Sequence, residues 1–250
     1  MLLYDLRCEI IETNSGLGTR MLLYYITDRR QFAGTAAEQR RRLLGKIAEA
    51  ARCRLDFIQL REKDLATREL EQLAREAAHC IRLASAGALP AGRPGTRLLI
   101  NSRVDVALAA GADGVHLRAD DMNASDARAL WAKATAAAPV IAVSCHTAEA
   151  VRMAESHGAD FAVFAPVFEK SGRHGVGLEA LRAACLGAPA ASGPEASPAV
   201  RIAVLALGGV TLENARPCLQ AGAAGIAAIR LFQANQIARV AAQLRAWTVP

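Results

Sequence analysis

From Met21 onward, short apolar runs alternate with longer stretches whose apolar positions recur every three or four residues. The short runs fall at 22–27, 56–60, 97–101, 114–117, 140–144, 160–164, 202–207 and 225–229. They are mostly apolar on both faces, the pattern of strands buried within a parallel sheet. The longer stretches, at 36–51, 67–84, 103–110, 124–134, 147–157, 178–185, 211–221 and 233–247, predict amphipathic helices. Thr67, Thr147 and Thr211 stand where N-caps belong. Eight strand–helix units in about 230 residues predict an α/β fold, a single-domain (β/α)8 TIM barrel. A doubly wound open sheet is the alternative, but it usually carries a glycine fingerprint after its first strand. Asp28-Arg29-Arg30 stands there instead.

In such a barrel the C-terminal ends of the strands gather on one face, where the active site is built. Polar residues concentrate at those ends. Gln59-Leu60 leads into Arg61-Glu62-Lys63-Asp64, and Ile100 into Asn101-Ser102-Arg103. His116-Leu117 leads into Arg118-Ala119-Asp120-Asp121, and Leu207 into Gly208-Gly209. Arg61 and Lys63 alternate along an extended segment, so both project to one side. A phosphate or diphosphate between them would satisfy both cations; the bland alternative is a surface pair neutralised by Glu62 or Asp64. Gly208-Gly209 follows strand seven, where barrel loops commonly hold phosphate and glycine lets backbone N–H groups come close. A tight turn is the competing reading.

Asp120 and Asp121 suit a magnesium ion that holds a diphosphate, or equally the start of the next helix. His146, in Ser144-Cys145-His146-Thr147, is a candidate general base or a helix-start residue, and Cys145 beside it reads as an inert thiol. His116, among apolar neighbours, reads as a core histidine. The segment 169–175, with Lys170, Arg173 and His174, is a candidate lid over an anion.

Composition narrows the class. The chain has 250 residues, 52% apolar and 22% charged, in the range of ordinary globular proteins. A net charge of +6 raises nucleic acid as a partner, but the arginines are scattered, aromatics are 4%, and no nucleic-acid motif appears. No apolar run approaches the ~20 residues of a membrane span, and charges interrupt the first 20 residues, unlike a signal peptide. Six widely spaced cysteines without CxxC or zinc-type spacing read as reduced thiols of a cytoplasmic protein. Residues 1–20 read as a weakly ordered extension before a barrel over 21–250. The segments 85–96 and 187–200, rich in Ala, Gly, Pro and Ser, read as insertions on the face opposite the mouth.

Several motifs in this order resemble the thiamine-phosphate synthase and thiazole tautomerase superfamily, closer to the synthases. They are Tyr25-Ile26-Thr27-Asp28, Gln59-Leu60-Arg61-Glu62-Lys63, Asn101-Ser102-Arg103-Val104-Asp105, Gly111-Ala112-Asp113-Gly114-Val115-His116-Leu117 and Val143-Ser144-Cys145-His146-Thr147. Gly177-Leu178-Glu179, Leu207-Gly208-Gly209-Val210-Thr211 and Ala221-Gly222-Ala223-Ala224-Gly225-Ile226-Ala227 continue the match, which spans 21–233. The resemblance implies that hydroxymethylpyrimidine diphosphate condenses with thiazole phosphate, with Mg2+, giving thiamine phosphate and diphosphate. Carried over, Arg61, Lys63 and Asn101 would hold the diphosphate and Asp121, with Ser102, would face the metal. Ser144 would lie beside diphosphate and pyrimidine, and Gly209 would present its N–H to the thiazole phosphate. The resemblance adds Gln59, Lys170, Arg173, Gly208, Ile229 and Arg230 to the substrate-binding set, and His146 to the catalytic one.

This chain departs from the pattern at Ser102, where synthases place a second metal aspartate, and at Arg118-Ala119, where they have Gly-Gln. The lid reads Glu169-Lys170-Ser171-Gly172-Arg173 in place of Pro-Thr-x-Thr-Lys, and Arg230 replaces a serine. The tautomerase branch, with a histidine base at the position of His146, is one alternative activity. A non-catalytic barrel that binds a phosphorylated ligand is the other. Small phosphorylated molecules are the expected partners, without nucleic acid or membrane, and a homo-oligomer is compatible with the chain.

Overall fold

Strands β1 (Leu22–Ile26), β2 (Phe57–Leu60), β3 (Arg97–Asn101), β4 (Gly114–Leu117), β5 (Val140–Cys145), β6 (Phe161–Phe164), β7 (Ala203–Ala206) and β8 (Gly225–Ala228) pair in chain order, all parallel. β8 pairs back onto β1, with Leu22 opposite Gly225, and closes the barrel. This computed structural model describes residues 20–86, 95–169, 172, 174–186 and 202–247. Helices α1 (Ala36–Arg52), α2 (Thr67–Ser85), α3 (Val104–Ala110), α4 (Ala124–Ala134), α5 (Ala148–Ser156), α6 (Gly177–Leu186), α7 (Ala215–Gln220), α8 (Arg230–Gln233) and α9 (Ile237–Arg245) surround the barrel. The architecture is the (β/α)8 barrel that the alternation predicts. Apart from Arg20, the extension at 1–20 lies outside the described residues, as do the central parts of both inserted segments.

Side-chain alternation divides the strands cleanly. One set of positions packs inside the barrel around Tyr24, Phe57, Leu99, Phe161 and Leu205. The other set, including Ile58, Leu60, Ile100 and Val115, packs outward against the helices. Inside, the Phe57 and Phe161 rings sit 4.7 Å apart and Tyr24 meets Phe161 edge-on at 5.5 Å. This aromatic plug makes the barrel interior a packed core, leaving chemistry to its rim. At the opposite end, Asp56, Asp113 and Asp160 each accept the backbone N–H of a residue on the preceding strand, Leu23, Leu98 and Ile141 respectively. These carboxylates satisfy strand donors that would otherwise lack a partner. Among the described residues no helix is long and apolar enough to cross a membrane.

Two predicted caps are corrected. Thr147 does cap α5, accepting Ala150 N–H. Thr67 is instead the first residue of α2; Ala66 precedes it, and Glu69 accepts the Ala66 N–H at 3.1 Å. α7 starts only at Ala215, because Asn214 ties the Thr211 N–H and the Gly209 carbonyl into a turn at 2.7 and 3.0 Å. The predicted last helix is shorter at its start for a similar reason. Gln233 belongs to the separate turn α8, where its side chain bonds Tyr25 and the backbone of Asp28.

Candidate active site

The sequence after β2 carries charges of alternating sign, and the structure sorts them. Arg29, in the loop after β1, forms a bidentate pair with Asp64 at 2.7 and 2.8 Å and donates to Glu62 at 3.1 Å. Glu62, buried, also accepts Arg29 N–H and, at 2.6 Å, the Thr27 hydroxyl. Both carboxylates are thus drawn to one side of the segment, and the reading in which they neutralise Arg61 and Lys63 does not hold for Arg61. Among the described residues no carboxylate pairs with its guanidinium. Burial pushes Arg61 below the ordinary arginine value, against the pull of Asp28 and Glu62. A half-buried guanidinium without a paired carboxylate has the chemistry to receive an anion. Lys63 follows it at the exposed turn.

Beside it, the ends of the neighbouring strands β3 and β4 form a second cluster. Asn101 donates from its side-chain nitrogen to Ser102 Oγ at 3.0 Å, and the Ser102 hydroxyl bonds Asp121. Ser102 adopts φ +63°, a left-handed conformation uncommon outside glycine, asparagine and aspartate. Asp121 also accepts the Arg118 N–H at 2.7 Å and the Arg118 guanidinium at 3.0 and 3.2 Å. Burial raises the Asp121 carboxyl, but these hydrogen bonds and the Arg118 charge outweigh it and hold the carboxyl below its ordinary value. The helix-start role falls to Asn123, which accepts Asp126 N–H, so Asp121 is no cap.

Between the two clusters a buried chain of hydrogen bonds crosses the barrel. Gln59 Nε2 donates to Tyr24 Oη at 3.2 Å, Tyr24 Oη lies 3.1 Å from His116 Nδ1, and His116 Nε2 lies 2.7 Å from Ser144 Oγ. Burial, with a smaller push from Arg61 and an opposing pull from Asp121, takes His116 down to about 3. His116 is therefore the core histidine that its sequence context predicts. Its contact with Ser144 was not foreseen, although its inward parity on β4 carries the signal. Gln59 is buried within this chain, only 1% exposed.

The remaining candidates line the rim. His146 is exposed and its Nδ1 lies 2.6 Å from the Ala165 carbonyl, so that nitrogen carries a proton and Nε2 faces away from this bond. Cys145 is buried and its thiol is pushed up to about 12 by desolvation, the inert thiol expected. A cavity of about 340 Å³ lies between the loops after β7 and β8, lined by Gly208, Gly209, Thr211, Ile229 and Arg230 among others. Gly208 and Gly209 have φ +100° and +63°. A side chain at Gly208 would strike Pro166, and one at Gly209 would strike Phe168 and Glu169. The loop after β6 is bonded here, Phe168 N–H to the Gly208 carbonyl at 3.0 Å. Lys170 and Arg173 lie outside the described residues.

Comparison with known proteins identifies the family and the fold. Residues 23–232 match the family model described as thiamine monophosphate synthase. A Geobacter sulfurreducens protein provisionally named thiamine-phosphate synthase is 40% identical over 221 residues, covering 85% of this chain and 87% of that one. Chlorobium luteolum thiamine-phosphate synthase is 37% identical over 190 residues, covering 74% and 77%. Among solved structures, a Pyrococcus furiosus thiamine phosphate pyrophosphorylase superposes with a TM-score of 0.68 at 29% identity, covering 91% of this chain and 95% of that one.

Proposed function

The chain belongs to the thiamine monophosphate synthase family, and on that footing we infer how its barrel mouth performs the family's reaction. It is a thiamine-phosphate synthase, a transferase that joins hydroxymethylpyrimidine diphosphate to thiazole phosphate. The bond from the pyrimidine's methylene carbon to the diphosphate oxygen breaks, its electron pair leaving on oxygen. The thiazole nitrogen lone pair then forms the new C–N bond, and diphosphate is released. No acid or base is needed at the reacting carbon, so catalysis is charge stabilisation, alignment and exclusion of water.

The observation that carries the site assignment is the Arg29 clamp. It withdraws Glu62 and Asp64 from Arg61, which receives the diphosphate together with Lys63. Ser144 hydrogen-bonds the leaving diphosphate from a hydroxyl positioned by His116. Asn101 adds a side-chain donor at the same end. The thiazole phosphate occupies the cavity after β7 and β8, held by the Gly209 N–H and by Arg230. Ile229 packs against the thiazole ring, and Gln59 acts through Tyr24 and His116.

The family is as a rule Mg2+-dependent. Ser102 and Asp121 are the residues that would face the metal, and as arranged they do not fit it. Ser102 is neutral, and Asp121 is engaged at both oxygens by Arg118. No step here is routed through a metal.

The reading is tested by incubating the protein with both substrates, with Mg2+ or with EDTA, and measuring thiamine phosphate by mass spectrometry. Product is expected; its absence from folded protein under both conditions would overturn the reading. One observation favours a thiazole tautomerase instead. The Nδ1 contact of His146 with Ala165 presents Nε2 as a base. A tautomerase would lose its activity with His146→Ala, whereas the synthase is expected to keep most of its own.

A further inference from the structure

We propose that Arg118 supplies the positive charge that a bound magnesium ion would bring to the diphosphate end of this mouth, so that this synthase turns over without the metal. The proposal rests on the synthase reading above and concerns how that site is charged.

The donor chemistry is the reason. Magnesium is held by one or two carboxylates together with phosphate oxygens and water, in near-ideal octahedral geometry. Ser102 brings no charge, and its hydroxyl is already given to Asp121. Asp121 accepts the Arg118 N–H on Oδ2 and Arg118 Nε and Nη2 on Oδ1. Asp120, next in line, also turns to Arg118, at 3.4 Å. An entering ion would have to share the Asp121 and Asp120 carboxylates with a guanidinium. Among the described residues no three His, Cys, Asp or Glu side chains come together to hold a metal ion.

Arg118 is placed to take over the task. Its side chain is 48% exposed while that of Asp121 is 12% exposed, so the pair is anchored at the carboxylate and open at the guanidinium. Nε and Nη2 hold Asp121, which leaves Nη1 without a partner among the described residues. β2, β3 and β4 are neighbours in the sheet, so Arg61 and Arg118, which directly follow β2 and β4, stand at the same end of the barrel. A guanidinium fork suits phosphate oxygens better than a point charge does. When the C–O bond breaks, its electron pair passes to the diphosphate, and Arg61, Lys63 and Arg118 hold the added charge. No further reactant enters.

The test pairs turnover with a binding measurement that does not depend on it. In EDTA the wild-type protein is expected to form thiamine phosphate at a rate within twofold of its rate in Mg2+. Arg118→Gln should lose at least tenfold in EDTA, and Arg118→Lys, which keeps the charge, should recover part of that loss. The double variant Ser102→Asp with Arg118→Gln should turn over only when Mg2+ is added. Wild-type activity that collapses in EDTA and returns with Mg2+ would overturn the proposal. Calorimetric titration with inorganic diphosphate in EDTA supplies the second readout, with Arg118→Gln expected to bind at least tenfold more weakly than wild type. Should no thiamine phosphate form under any condition, the synthase reading fails, and this titration alone decides for Arg118. Equal binding by wild type and Arg118→Gln would overturn its role.

Discussion

His116 Nε2 lies 2.7 Å from Ser144 Oγ, and the buried partners of the imidazole fix which way that bond points. Gln59 donates to Tyr24 Oη, so the Tyr24 hydroxyl gives its proton to His116 Nδ1. The imidazole is neutral, which leaves its one N–H on Nε2, donated to Ser144. Ser144 then keeps its own hydroxyl proton for a ligand in the mouth. An anion is the ligand such a donor suits.

Removing links of this chain should have graded effects. If the proposed function holds, Ser144→Ala takes away a donor to the diphosphate and should lower kcat by at least tenfold with little change in Tm. Tyr24→Phe strands the Gln59 amide and His116 Nδ1 in a dry interior, a loss of about 1–3 kcal/mol. It should lower Tm together with kcat, while Ser144→Ala lowers kcat alone. Thermal melts beside steady-state kinetics separate the two, and equal loss of Tm in both would contradict the directional relay.

The same histidine sets an acid limb of stability. Its folded value of about 3 lies below the usual value of 6.5, so the unfolded chain binds the proton first as pH falls. His116 therefore leaves stability untouched above about pH 6.5 and removes up to about 1.4 kcal/mol per pH unit from there down to about pH 3. Buried carboxylates such as Glu62, whose own value is raised chiefly by burial, titrate in part of this window with the opposite sign. The clean measurement is thus a difference: urea unfolding of wild type and His116→Gln between pH 4 and 8. The wild type should lose ground to the variant below about pH 6.5, and parallel curves would refute the buried neutral state.

Much of this was legible from the chain. Eight apolar runs gave the barrel, and charges at strand ends gave the mouth, because strand direction alone puts those ends together. The apolar neighbours of His116 were enough to set it inside, whereas Gln59 entered only through the resemblance, as a substrate-binding residue, and the structure buries it. Partner choice was hidden, since it depends on residues far apart in sequence. Arg29 and Asp64 are separated by 35 positions, and nothing local says that Arg29 claims both carboxylates around Lys63. His116 and Ser144 meet only because β4 and β5 are neighbours in the closed sheet. The start of α7 was misjudged because Thr211 looks like a cap until the Asn214 side chain is seen to hold its N–H.

The Arg29 clamp itself is open to a direct test. Its guanidinium and the Glu62 carboxylate are 10% and 1% exposed. Breaking such a pair leaves a charge buried alone and costs about 3–5 kcal/mol. Arg29→Met should therefore destabilise by that order in denaturant melts. It also releases Asp64 next to Lys63, so inorganic diphosphate should bind several-fold more weakly to whatever fraction remains folded. Arg29→Met with Asp64→Asn should recover much of the binding while leaving the stability loss from Glu62. Binding unchanged in the single variant would mean that the clamp serves folding only.

Gly209 offers the sharpest probe of the thiazole-phosphate end. Its φ of +63° disfavours any side chain, and a Cβ there would lie 2.8 Å from both Phe168 Cβ and the Glu169 carbonyl oxygen. The neighbour that must give way is backbone in the loop after β6, whose stem is tied to Gly208. Gly209→Ala should thus cost about 1–2 kcal/mol, from strain of the kind carried by left-handed non-glycine residues. It should also raise KM for thiazole phosphate by at least tenfold, because the shifted loop carries the Gly209 N–H away from the phosphate. KM for the pyrimidine diphosphate should stay within about twofold, since Arg61 follows β2 and Ser144 lies on β5, away from the loop after β7. Equal increases in both KM values would show that the cavity after β7 and β8 is not a separate phosphate site.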